Sequence, residues 1–429
     1  MRKAIETSCP DEERGLAYSW YALTLLSLVY AIHALDRTVI NVLIEPIRVE
    51  FGVSDSALGF LTGAAHSLPF ALAALPIGAL IDRVRRDRLL AGLVFTWSAM
   101  TGLGGLCGTF SLLLLSRAAV GASEAGTQPL SLALIADLFR AALRPVASSV
   151  LYAGGYIGSL VGLYAAAAIT AAHGWRVALF AAGLPGLLAS MLVMLTLRDP
   201  RRGAKASAQA TDAPPLADSF RLFRRHRAIA LLVTAQVMGS VATMGSSTWM
   251  PALLLRSYHI PMREVGFVSA LASLCGVLGS LLGGLAGHYL AKGRTERLLL
   301  ICGISNICWI PALLAVTLET HGDFQLVWFL AAALIGPIYI GPAFSLASSL
   351  VLPDLRGRTL AIISILCNLI GAGIGPQLVG AVSDILHHLG RTDALPLAIS
   401  TMGIAALASG LLFLLTRRVV PHGLPSPLE

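Results

Sequence analysis

Long apolar runs broken by short polar turns repeat along the whole chain. A helix that crosses a bilayer needs roughly 20 apolar residues, and twelve runs are of about that size. They lie at about 18–44, 55–80, 89–109, 111–139, 145–171 and 176–197, then at about 228–255, 263–290, 297–318, 324–351, 358–386 and 395–416, and are numbered here as spans 1 to 12. Between spans 6 and 7 a polar stretch from Arg198 to Arg227, opening RDPRRGAKASAQATDAPP, carries no apolar periodicity and reads as a flexible linker. The expected organisation is an N-terminal six-helix bundle at 1–198, a cytosolic linker at 199–227 and a C-terminal six-helix bundle at 228–429. A weak internal repeat supports two pseudo-symmetric halves: GALIDR (78–83) after span 2 is echoed by GHYLAK (287–292) after span 8, without the acid. The pattern predicts an all-α membrane protein with twelve transmembrane helices.

Composition agrees. Of 429 residues 56% are hydrophobic and 13% charged, against roughly 25% charged in soluble chains. A soluble enzyme, a disulfide scaffold and a disordered chain are excluded. The net charge of +8 does not imply nucleic acid, because the bases sit in short loops. Counted by side, 24 Lys and Arg fall at the termini, the linker and the loops after spans 2, 4, 8 and 10, against five at the other end. The positive-inside rule then puts both termini in the cytoplasm of a cell with the chain in its inner (plasma) membrane. Residues 1–15 are polar and no cleavage site follows, so the first apolar run is expected to stay as a helix. The six cysteines form no C-x-x-C pair and five lie in apolar runs, which suits small core residues.

Charge inside the apolar runs is where chemistry is expected. A charge at mid-bilayer costs roughly 2.5–3.5 kcal/mol on insertion scales. Four charged residues lie deep in apolar runs: Asp36 and Arg37 in span 1, Arg117 and Glu124 in span 4. Arg117 and Glu124 are two helical turns apart and share a face with Gly121 and Gln128. Adjacent spans 1 and 4 would let two acids and two bases neutralise one another, either as a passive ionic clasp or as a titratable network that rearranges during transport. His33 and His66 stand near enough in sequence to join such a network or to be satisfied interior histidines; His387 and His388 fall at a helix end in solvent. Gly154, Gly158 and Gly162 form a small-residue stripe in span 5, and span 11 carries Gly371, Gly373, Gly375 and Pro376. Pro69, Pro76, Pro251, Pro337 and Pro342 are expected kinks. There is no G-x-S-x-G, H-E-x-x-H or P-loop, and no metal-spaced cluster, so no enzyme activity, cofactor or metal is implied.

These residues resemble a known group. The stretch GALIDRVRR (78–86) resembles the loop motif of the major facilitator superfamily, with Arg85 where that motif has glycine. Span 1 and its sequel (35–63), SRAAVGASEAG (116–126) with LIADLF (134–139), and residues 355–384 are similar to spinster-like members. The resemblance implies two six-helix halves rocking about a central cavity, and lipid-like cargo such as sphingosine-1-phosphate or lysophospholipids. It implies that Asp36, Arg37, Arg117 and Glu124 match a charge network of that family. Span 5 lacks the proline of the antiporter motif, which argues against simple drug/proton antiport. Organic-anion symporters share the span 4 pattern and remain the rival.

The reading is a secondary active transporter, proton-coupled by symport or antiport, that moves an amphipathic anionic lipid by alternating access. The alternative is a small organic-anion or drug transporter of the same superfamily; a non-transporting receptor or scaffold fits less well. Expected partners are the lipid-like cargo, protons and membrane lipids, with the chain acting as a monomer and binding no nucleic acid. By the resemblance, spans 1, 4, 7 and 10 line the cavity, offering Thr38, Asn41, Gln128, Gln236, Thr243, Ser246, Trp249, Tyr339 and Ser345. A gate at the cytoplasmic side is expected from Gly78, Asp82, Arg83 and Arg86, facing Asp137 and Arg140 at the end of span 4.

Overall fold

A computed structural model describes residues 10–140, 143–199, 226–292, 294–318, 325–350 and 353–420; the side chains of 10–14, 82, 145, 353–358 and 361 are outside that set. The polar linker, and with it most of 199–227, therefore lies outside the described residues. Every regular element among them is helical. Seven spans are single helices, six of them Pro10–Phe51, Arg86–Gly104, Arg144–His173, Trp175–Thr196, Arg227–Arg256 and Met262–Tyr289, which are spans 1, 3, 5, 6, 7 and 8. Span 9, Thr295–Leu318, is also unbroken. Ten of the twelve spans are long and apolar enough to cross a bilayer. The two that fall short by that measure are span 3, which starts on charged residues, and span 4, which is broken in the middle.

Breaks are concentrated where the sequence runs into glycine or polar residues. Span 2 divides at Gly63 into Asp55–Thr62 and Ala64–Arg83. Span 4 divides at Ala125 and Gly126 into Phe110–Glu124 and Thr127–Leu138, so that Glu124 ends a helix in mid-span. Span 10 passes from Gln325–Ile335 through a 3₁₀ turn at Gly336–Tyr339 to Ile340–Ser349. In span 11 a π-helical segment, Cys367–Ala372, joins Pro353–Leu366 to Gly373–His388. Span 12 divides into Ala394–Ser400 and Met402–Val419.

The halves repeat one packing scheme. Span 1 lies on span 5 as span 7 lies on span 11, span 3 on span 6 as span 9 on span 12, and span 2 on span 4 as span 8 on span 10. The small-residue stripe of span 5 is what lets span 1 approach: a side chain at Gly158 would sit 1.9 Å from the carbonyl oxygen of Ala31. Between the halves, extensive contact is made by span 5 with span 8, by span 2 with span 11 and by span 1 with span 7. Residues that touch there include Gly266 against Ala167, Gly59 against Pro376, and Gly380 against Asp55. All lie toward the end of the bundle remote from the termini. The halves thus meet at that remote end and in the middle.

Candidate functional site

The break in span 4 delivers a buried charge cluster. Span 4 begins on Thr109, whose hydroxyl caps the Leu112 amide, and places Arg117, Gly121 and Glu124 along one face. Gly121 has a stringent steric role: a Cβ there would lie 2.2 Å from the backbone oxygen of His66. Its missing side chain lets span 4 press on span 2 and brings Glu124 to the imidazole of His66, with Nε2 2.9 Å from Oε2. Span 1 adds His33, whose Nδ1 is 3.5 Å from the same carboxylate oxygen. One turn further, Asp36 receives Arg117 Nη1 at 3.3 Å and the Thr101 hydroxyl at 2.5 Å. Asp36, Arg117, Glu124, His33 and His66 are all nearly inaccessible, between 1% and 7% exposed, so solvent does little to screen them.

Three buried polar atoms of the cluster lack a hydrogen-bond partner. By hydrogen-bond geometry these are Glu124 Oε1, His33 Nδ1 and Arg117 Nε. The two imidazoles beside Glu124 can each accept or donate, according to tautomer and protonation. The arrangement can therefore hold a proton at several adjacent atoms.

Arg37 departs from the expected network. Asp36 and Arg37 are neighbours on a helix and point about 100° apart, so only Asp36 reaches span 4. The Arg37 guanidinium instead donates across the interface between the halves to Asn368 Oδ1, at 3.3 Å. Full neutralisation of two acids by two bases is thus not what forms. His66 and His33 stand beside Glu124 where a second arginine was expected, so the histidines belong to the cluster.

The predicted cavity residues divide into two groups. Thr38, Asn41 and Thr243 are half-buried, and Gln128 and Ser345 are exposed. Beyond the break Gln128 leaves the Arg117–Glu124 stripe and donates to the Tyr152 hydroxyl at 2.9 Å. Gln236, Ser246, Trp249 and Tyr339 are 0–2% exposed and packed inside the second half, which corrects their expected place on the cavity wall. Trp249 donates to the Pro376 carbonyl, Ser246 to its own helix at Ala242, and Tyr339 packs on Phe413, because span 7 buries these groups against span 11 and span 12.

At the end bearing the basic loops, Arg86 is buried and donates to Asp137 at 2.7 Å, while its amide donates to Asp199 at 3.0 Å. The span 2–3 loop is thereby tied to the ends of spans 4 and 6, within the first half. Gly78 is half-buried and Arg83 and Arg140 are exposed; the Asp82 side chain lies outside the described residues.

A second charge network, unforeseen from sequence, closes the remote end. Arg256 of span 7 binds Glu45 of span 1 and bridges to Asp55 of span 2 at 2.8 Å. Ser383 donates to Asp55 Oδ2 at 2.7 Å. Asp384 of span 11 accepts the amides of Asp55 and Ser56 at 3.0 and 2.9 Å, capping a first-half helix from the second half. The only sequence signal was that Arg256 is among the five bases on the sparse side.

Comparisons with known proteins fit this architecture. Residues 26–376 match the family model of the Major Facilitator Superfamily, so the chain belongs to that superfamily, a family of transporters rather than enzymes. Within it the chain is spinster-like. It is 30% identical over 391 residues to an MFS-type efflux pump of Mycolicibacterium smegmatis, covering 89% of this chain and 88% of the relative. It is 26% identical over 430 residues to a sphingosine-1-phosphate transporter of Danio rerio, covering 92% and 84%. Among solved structures, a bacterial homologue of the human lysosomal transporter spinster, in an inward-facing and unoccupied conformation, superposes with a TM-score of 0.85. That match has 23% identity and covers 94% of this chain and 97% of the other, which establishes the fold.

Proposed function

We propose that this transporter moves a single-chain amphipathic anion by alternating access, with proton exchange at Glu124. The observation that carries the reading is the sealed Glu124–His66–His33 cluster beside Asp36–Arg117, with Arg37 the one base of the four-charge set turned toward the other half. A proton taken up by the cluster removes the repulsion between its two acids and changes how tightly spans 1, 2 and 4 pack. One half-buried base and walls with few other polar groups suit one anionic head and one acyl tail, which gains about 0.8 kcal/mol per buried methylene. The Danio rerio relative's name supports a lipid phosphate as cargo. The units that rock are proposed to be 1–198 and 228–429, joined by a cytosolic linker at 199–227, in the inner membrane of a cell with both termini in the cytoplasm.

A second reading, efflux of small organic anions or drugs, is favoured by the name of the mycobacterial relative. One titration separates the two. Thermal stabilisation of the purified protein by single-chain anionic lipids should rise as the chain grows from about eight to about sixteen carbons. Equal stabilisation by short analogues, or tight binding of a small hydrophilic anion, would select the second reading. For orientation, a cysteine replacing Ser207 in the linker should react with an impermeant reagent only once the inner face is exposed.

A further inference from the structure

Arg37 and Asn368 meet across the boundary between the halves. Asn368 lies on the π-helical segment Cys367–Ala372 of span 11. A π turn inserts an extra residue into a helix and is frequent at functional sites. Here the segment is pinned to span 7: the Ser240 hydroxyl lies 3.4 Å from the Cys367 carbonyl, and a Cβ on Gly371 would fall 2.2 Å from Ser240 Oγ. The Asn368 amide is oriented by its own helix, with Nδ2 donating to the Ser364 carbonyl at 3.0 Å. That leaves Oδ1 as the acceptor aimed at Arg37. Among the described residues Arg37 has no carboxylate at ion-pair distance, so this neutral oxygen is its one hydrogen-bond partner.

We propose that Asn368 is a specificity-determining stand-in for the anionic group of the cargo: it holds the Arg37 guanidinium while the site is empty and is displaced when a phosphate or carboxylate arrives. The inference rests on the reading that the cargo is an anion. The chemistry favours exchange. A neutral amide oxygen holds a guanidinium more weakly than an anion does, because it lacks the charge–charge attraction and the two parallel N–H···O bonds that a carboxylate or phosphate offers. A carboxylate in the same place would compete with the cargo; an apolar residue would leave Arg37 unpaired. Because Asn368 belongs to the second half, its displacement also removes a tie between the halves. Cargo binding thereby biases their separation through a contact that differs between the empty and loaded states.

The test uses the full-length protein in detergent, titrated with dodecyl phosphate and with an uncharged dodecyl glycol. Asn368→Asp should weaken dodecyl phosphate binding by about tenfold or more, because the new carboxylate pairs with Arg37. Asn368→Ala should tighten it by about three- to tenfold, because a competing acceptor of ordinary strength is gone. Binding of the uncharged glycol should be unchanged in both, which a general packing defect would not allow. Arg37→Ala should abolish the preference for phosphate over glycol. If Arg37→Ala loses that preference while both Asn368 variants bind phosphate as the wild type does, the stand-in role is overturned and the anion reading survives. If the wild type itself shows no preference for phosphate, the anion reading falls and this inference falls with it. Should Asn368→Asp not fold, unchanged phosphate affinity in Asn368→Ala overturns the proposal by itself.

Discussion

The two charge networks of this protein differ in what they join and in how far solvent reaches them. The inner one, around Glu124 and Asp36, lies within one half and is almost sealed. The outer one, around Arg256, joins the two halves, and its side chains keep 10–19% of their surface in contact with solvent. A sealed charge is costly to strip of its partner, so breaking the inner network carries a large penalty. A partly solvated ion pair contributes less and can be broken and remade, which suits a closure that must open in each cycle. Depth of burial, more than the residue types used, separates the two networks.

The strongest way to test this contrast is to remove one inner partner. Arg117→Met leaves Asp36 buried without its counter-charge and should cost about 3–5 kcal/mol, read from thermal or denaturant unfolding in detergent. Adding Asp36→Asn to it should restore a good part of that loss. A single variant as stable as the wild type would mean that the pair is not sealed as described.

Steric rather than electrostatic disruption should be next in size. Gly121→Ala drives a methyl group toward the backbone of His66, which has no flexible end to move aside. A loss of about 1–3 kcal/mol is expected from such overpacking. The same variant should blunt any proton dependence of transport, because His66 is displaced from Glu124. Normal stability with normal coupling would show that the close approach of spans 2 and 4 is dispensable.

Glu124→Gln should do little to the fold and much to the coupling. The glutamine keeps the shape and mimics the protonated acid, so folding should hold within about 1 kcal/mol of wild type. Transport into proteoliposomes should then cease to respond to a pH gradient. Retained proton-driven uptake in this variant excludes Glu124 as the exchange site, with Asp36 the next group to substitute.

The outer network should give the smallest stability change and a conformational one instead. Arg256→Gln is expected to cost about 1 kcal/mol, in keeping with a partly exposed pair. Spin labels on Val53→Cys and Leu389→Cys, near the remote ends of the two halves, should report longer distances in that variant. An unshifted distribution would show that packing of span 2 on span 11, rather than charge, keeps this end closed.

Much of the fold was legible in the chain because the bilayer permits few solutions: a segment of apolar residues must satisfy its backbone internally, which leaves the helix. Spans 5, 6 and 7 were readable in that way almost to their ends, whereas span 1 runs seven or eight residues further at each end, and the span 5 glycine stripe lies against span 1. The inner cluster was half readable. Asp36, Arg117 and Glu124 stand out because charge in an apolar run is rare. His33 and His66 were ambiguous, since an interior imidazole is informative only once its neighbour is known.

Sequence by itself determined the class of protein, the number of spans and the cost of the charges in spans 1 and 4, all of which depend on residues near one another in the chain. Tertiary structure alone decided which charge meets which. It turned Arg37 away from Asp36 toward Asn368, 331 positions along the chain, and it gave Asp384 a helix end in the other half to cap. It also took Trp249 and Tyr339 off the cavity wall and into the core. The physical reason is that a helix fixes the direction of each side chain relative to its own axis, while the partner found in that direction is set by how the helices pack.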